Sequence, residues 1–101
     1  MKFRVEIAPA AQTEIEAIYL HIADDSRHNA ARWRVGLYTA CDSLELIPEG
    51  CSLAPENDFV DFEVRQKFYG LYRLIFTIIE DRVIILHVRH GGRLPLRGAQ
   101  I

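Results

Sequence analysis

The chain has only two cysteines, Cys41 and Cys51. A tetrahedral metal site takes about four ligands at short paired spacings, so no metal centre is expected. Cys41 falls within a helical pattern and Cys51 in the loop after it, and both read as reduced thiols. Long apolar runs are missing too. The longest, Leu74 to Ile79, is interrupted by Thr77 and falls far short of the ~20 residues of a membrane span. The opening Lys2-Phe3-Arg4-Val5-Glu6 places charge at every second position, which excludes the core of a signal peptide. There is no glycine-rich phosphate loop, zinc motif, Ser–His–Asp arrangement, internal repeat or low-complexity tract. These absences lead us to expect a soluble, cytoplasmic protein without cofactor or metal.

What is present suits one small domain. The 101 residues are 50% hydrophobic and 26% charged, and a chain of this length buries roughly 65% of its unfolded surface on folding. The net charge of −2 hides an asymmetry. Residues 1–62 carry five basic and eleven acidic side chains, whereas residues 63–101 carry seven basic (Arg65, Lys67, Arg73, Arg82, Arg89, Arg93, Arg97) and three acidic. That gives −6 and +4. Either the C-terminal part faces an anionic partner, or its charges are a solvated strand face that keeps edges from aggregating.

Phe3, Val5 and Ile7 alternate with Arg4 and Glu6, the signature of a half-buried strand. Pro9 then opens a helix in which Ala11, Ile15, Ile18, Tyr19 and Ile22 recur at helical spacing, with Glu14 and Glu16 early, where the helix dipole favours acids. Asp24-Asp25-Ser26 breaks the pattern over three or four residues, with Ser26 as cap of a second helix. That helix carries Ala30, Trp33, Leu37, Cys41 and Leu44 on one stripe and ends at Pro48-Glu49-Gly50. After a looser stretch to Asp61 come three strands: Phe62 to Phe68, about Tyr72 to Ile79, and about Arg82 to His90. Gly70 and Glu80-Asp81 mark the turns between them. The expected fold is α+β: a strand, an antiparallel helical hairpin, and a three-stranded antiparallel meander in one sheet packed on the helices. Ile15, Ile18, Ile22, Trp33, Leu37, Leu44, Leu74, Phe76 and Leu86 should be mainly buried. Residues 91–101, with Gly91, Gly92, Pro95 and Gly98, read as a tail of this single domain that orders only against a partner.

Four strings give the chain a resemblance to a known family: Val5-Glu6-Ile7-Ala8-Pro9-Ala10-Ala11; Ile18 to Ala23 with Asp24-Asp25-Ser26; Leu46-Ile47-Pro48-Glu49-Gly50; and Gly70 to Phe76 paired with Val88-Arg89-His90-Gly91-Gly92-Arg93. Together, in order, they resemble the RelE/ParE toxin superfamily, and the ParE branch more than the RelE branch. The resemblance implies the bacterial, plasmid-stabilising toxin of a type II toxin–antitoxin pair. It implies a ParD-like antitoxin partner, a ribbon–helix–helix protein with an acidic tail. RelE-like members cut messenger RNA on the ribosome, and ParE-like members poison DNA gyrase. No membrane partner and no sequence-specific nucleic-acid binding by the toxin alone are expected.

The individual residues leave alternatives open. Arg73 is a cation in an otherwise apolar strand row, and an isolated buried charge is costly. It either contacts a phosphate, as its RelE-like counterpart does, or forms a structural ion pair with an acid of the first half. His90 is either a general acid–base or a hydrogen-bonded residue at a strand end. Alternation sends His87 and Arg89 to one face, and His90 with Leu86 and Val88 to the other, so Arg93 joins them only if the Gly91-Gly92 turn swings it back. A ribonuclease reading would use Arg73, His90 and Arg93. Against it, the loop Leu53 to Asp58 has no lysine and the tail from Leu94 has no tyrosine, both of which the RelE pattern carries. The favoured reading is a non-enzymatic gyrase inhibitor, with Arg65, Lys67, Arg73, Arg89, Arg93 and Arg97 as target contacts. Trp33, Tyr38, Arg65, Arg73 and Arg89 are the antitoxin contacts. A toxin fold that keeps only a binding role is the third reading. His21 and His28 read as surface residues.

Overall fold

The structure, a computed structural model, describes residues 2–101. The elements run β1 (Arg4–Ile7), α1 (Pro9–Asp25), α2 (Arg27–Asp42), β2 (Arg65–Tyr69), β3 (Tyr72–Ile79) and β4 (Arg82–His90). Short 3-10 turns lie at Ser43–Glu45, Pro48–Gly50, Pro55–Phe59 and Gly98–Gln100. The expected order of one strand, a helical hairpin and an antiparallel meander is what forms. The sheet order is β1-β4-β3-β2, so the two most apolar strands are central. The meander is antiparallel, but β1 joins it parallel to β4, making the sheet mixed.

Both hairpin turns have two residues, and the first of each is left-handed: Gly70 at φ 56° and Glu80 at φ 55°. Glycine adopts that conformation freely, whereas at Glu80 it is held against a steric cost. The helices meet more tightly than the sequence suggests. Instead of a three- or four-residue connection, only Ser26 separates them. It is extended (φ −158°, ψ 112°), its N–H donates to the Ile22 carbonyl, and its hydroxyl accepts from the Asn29 N–H. One residue thus closes one helix and caps the next.

Three other boundaries move. α2 ends at Asp42, not Pro48, because the chain tightens into a 3-10 turn whose Glu45 carbonyl accepts from the Phe3 N–H just before β1. β2 begins at Arg65, not Phe62, because Val64 is drawn off: its N–H donates to Asn57 Oδ1 and its carbonyl accepts from Ala54. Glu14 and Glu16 lie beyond the first turn of α1, and Glu14 has a tertiary role described below.

The main core lies between the helices and the sheet. It joins Ala11, Ile15, Leu37, Cys41 and Leu44 to Leu74, Phe76, Val83, Ile85 and Val88. Of the expected core, Ile15, Leu37, Leu44, Leu74 and Phe76 are buried, while Ile18, Ile22, Trp33 and Leu86 are half-buried. A second, smaller core covers the opposite face of the sheet, built from Ala54, Val64, Ile75 and Leu96. The tail therefore finds a partner within the chain. Leu96 is 4% exposed, and its N–H donates to Glu56 Oε2 at 3.0 Å.

Candidate functional site

The seven C-terminal cations divide into two groups. Arg65, Arg73 and Arg82 are neutralised by Glu63, Glu56 and Glu6 respectively. Lys67, Arg89, Arg93 and Arg97 stand in no ion pair among the described residues. Charges without a local partner project the stronger field toward a ligand. Three of these four, Arg89, Arg93 and Arg97, belong to the end of β4 and the tail that follows it.

Arg73 forms the buried ion pair, the structural alternative of the two. It is 4% exposed, and its two terminal nitrogens reach the two Glu56 oxygens at 2.9 and 2.8 Å, with Gln66 Oε1 at 3.0 Å. Burial alone would raise the Glu56 pKa. The Arg73 hydrogen bonds and the Leu96 N–H outweigh it and hold the carboxyl at about 2.

One extra residue interrupts simple alternation in β4. The register slips between Ile75 and Phe76, leaving an irregularity on β4 near Leu86 and His87. Glu14 of α1 fills it. Its Oε1 accepts from the Val88 N–H at 3.0 Å, and its Oε2 lies 3.0 Å from His87 Nδ1. His87 Nδ1 thus reaches α1, while His87 and Arg89, paired with Ile75 and Arg73, keep to one face of the strand as alternation expects. Arg89 pairs in register with Arg73 and donates to the Leu94 carbonyl at 3.0 Å. Its Nε is buried without a partner. Burial, then the nearby Arg93 and Arg73 charges, lower the pKa of Arg89.

Arg89, His90 and Arg93 nevertheless share one cleft, because the Gly91-Gly92 turn brings Arg93 back. The cleft, about 450 Å³, has Glu14, Ala17, Ile18 and His21 of α1 as one wall, with Tyr72 and Val88 also lining it. Positions 14, 17, 18 and 21 form one helical stripe. The stripe is visible in the sequence, but no local pattern ties it to β4, and His21 is an exposed residue that also lines the cleft. His90 packs edge-on against Tyr72 at 5.6 Å, and Tyr72 likewise against Trp33 at 5.5 Å. The His90 Nδ1 accepts from the Gly92 N–H at 2.9 Å, which places the ring proton on Nε2. In that form the Nε2 of His90 is a hydrogen-bond donor.

The other candidates lie outside the cleft. Arg65 donates to the Cys51 carbonyl and to Glu63, and Lys67 is half-buried on β2. Trp33 is half-buried against the core with its Nε1 unpartnered, and Tyr38 donates to Gln12 across the helical hairpin at 3.4 Å. Arg97 lies over the Phe59 ring at 4.8 Å. Among the described residues no three His, Cys, Asp or Glu side chains gather as a metal site requires, and no helix is long and apolar enough to cross a membrane.

The sequence matches the family of ParE toxins of type II toxin–antitoxin systems over residues 5–95. No curated protein matches it. Among solved structures, the fold is similar to a chain of the chromosomal ParDE toxin–antitoxin system of P. aeruginosa. That pair has a TM-score of 0.73 and 15% identity over 88% of this chain and 96% of the other. It is also similar to a chain of the archaeal RelE–RelB complex of Pyrococcus horikoshii (TM-score 0.61, 18% identity, 93% and 100% covered). A chain of the RelBE2 toxin–antitoxin complex of Mycobacterium tuberculosis gives 0.55 and 19%, with 89% and 99% covered.

Proposed function

The chain belongs to the ParE toxin family of type II toxin–antitoxin systems, and we propose that it is a bacterial, cytoplasmic inhibitor of DNA gyrase, neutralised by an acidic ParD-like antitoxin. The observation that carries this reading is the group of unneutralised arginines, Arg89, Arg93 and Arg97, at one end of the sheet. A binding toxin needs such a surface. A phosphodiester-cleaving enzyme needs, in addition, a base and an acid free to exchange protons at the phosphate. Here Glu14 is taken up by His87 and the Val88 N–H, Arg73 by Glu56, and the His90 Nδ1 by Gly92. The cleft offers positive charge and hydrogen-bond donors.

The second reading, a ribosome-dependent endoribonuclease, draws its support from His21, which lines the cleft together with His90, Arg89 and Arg93. One experiment separates the two. Purified protein is added to gyrase supercoiling reactions, and messenger integrity is followed in cells induced without the partner. Inhibition of supercoiling with intact messenger is expected. Arg93→Ala should weaken inhibition about tenfold or more, the usual worth of a charge-assisted contact. Site-specific messenger cleavage, lost in His21→Ala, with gyrase unaffected, would replace the inhibitor reading with the nuclease one.

A further inference from the structure

Arg89 stands on the divide between two clefts. On the helix side is the cleft of about 450 Å³ described above. On the tail side is a second, of about 310 Å³, lined by Phe59, Leu94, Pro95, Arg97 and Gln100 together with Arg89. Each combines apolar surface with an exposed arginine: Ala17 and Ile18 with Arg93 in the first, Phe59 and Leu94 with Arg97 in the second. Resting on the reading that an acidic partner neutralises this chain, the geometry points to a saddle. One extended segment of the partner crosses Arg89, seats an apolar side chain in each cleft, and sets carboxylates against Arg89, Arg93 and Arg97.

Three observations support the acidic occupant. The Arg89 Nε is buried and unpartnered, a state that costs free energy until an acceptor arrives. Arg93 and Arg73 crowd Arg89 with like charge. The nearby acids, Glu14 and Glu56, already serve His87, Val88, Arg73 and Leu96. A carboxylate brought in on a partner would therefore meet strong, incompletely screened positive charge. A nucleic-acid strand would bring negative charge as well, but single strands also bind by stacking bases on free aromatic faces. Here Arg97 already occupies one face of the Phe59 ring, and Tyr72 is flanked edge-on by Trp33 and His90. The partner segment accordingly reads apolar, acidic, apolar along its length.

The test uses the full chain, the purified antitoxin encoded beside it, and a labelled single-stranded DNA 20-mer as the competing probe. Arg93→Glu and Arg97→Glu reverse the charge at each cleft, and Ala17→Trp fills the helix-side cleft. Arg32→Glu, on the exposed side of α2, is the control of equal charge change. Melting curves verify that each variant is folded. We expect each of the first three substitutions to weaken antitoxin binding by about tenfold or more, with Arg32→Glu near wild type and the oligonucleotide bound weakly by all. Antitoxin binding that is strong and unchanged in the three variants would overturn the saddle while leaving the antitoxin reading intact. Tight oligonucleotide binding lost in Arg93→Glu would assign the groove to nucleic acid. An antitoxin that fails to bind even the unaltered chain would remove the reading and the saddle together.

Discussion

Glu56 lies in the acidic loop that, in the sequence, counted only as a place without lysine, yet it is fully buried and binds both Arg73 and the tail. Sequence chemistry required Arg73 to have a counter-charge but could not choose among the eleven acids of the first part, because the choice depends on how a 3-10 loop folds over the sheet. Removing one member of a buried pair strands the other, so Glu56→Gln should cost about 3–5 kcal/mol, measured by chemical denaturation. The pH dependence has a definite sign. The folded carboxyl is held at about 2 against an ordinary 4.5, so the unfolded chain takes up the proton first. The stabilisation is whole above pH 4.5 and is lost as pH falls toward 2. Melting temperatures should drop over that window in the wild type and less steeply in Glu56→Gln. A wild-type melting temperature that stays flat from pH 5 to pH 2.5 would contradict the pairing.

Elements were the most legible level. Periodicity predicted both helices and the last two strands because their apolar spacing is regular, and the β3–β4 pairing departs from simple alternation at Leu86, where the register slips. That irregularity is stabilised by Glu14, 73 positions before His87, which no local pattern contains. A similar long-range fit fixes α2 against the sheet. The Tyr69 hydroxyl donates to the Trp33 carbonyl at 3.2 Å, and a Cβ built on Gly36 would overlap that hydroxyl. Helix propensity by itself favours alanine over glycine by about 1 kcal/mol. Here the overlap should reverse the sign, so that Gly36→Ala costs about 1–3 kcal/mol. Adding Tyr69→Phe should recover part of that loss, making the pair non-additive in a double-mutant cycle. A Gly36→Ala protein that melts higher than wild type would show that α2 is not held at this distance.

For the whole molecule, the charge asymmetry of the sequence turns out to be sorted rather than spread. Acids of the first part neutralise Arg73 and Arg82, while Arg89, Arg93 and Arg97 have no ion-pair partner among the described residues. The candidate site was therefore legible as a set of cations but not as a place. Its α1 wall and its division at Arg89 come from bringing α1 against β4, a contact between elements more than fifty positions apart in the chain. The tail shows the same limit. Its glycines and proline suggested a segment without structure of its own, and Leu96, with Ile101 packed beside it, anchors it to the second core.

The parallel pairing of β1 with β4 also governs the order in which the molecule comes together and apart. Arg4 lies opposite Arg82, 78 positions downstream, whereas β2, β3 and β4 are joined by two-residue turns. Closing a loop that long costs entropy before any contact repays it, so the local meander should assemble first and β1 dock late. A contact absent from the transition state affects escape rather than arrival. Val5→Ala, on the half-buried face of β1, should therefore accelerate unfolding and leave the refolding rate nearly unchanged, with a φ-value near zero, in stopped-flow chevrons. Equal slowing of refolding would mean that β1 docks early. If it docks late, the native protein is held closed from its N-terminal edge, and its lifetime is set by how long four residues stay bound to a strand made at the far end of the chain.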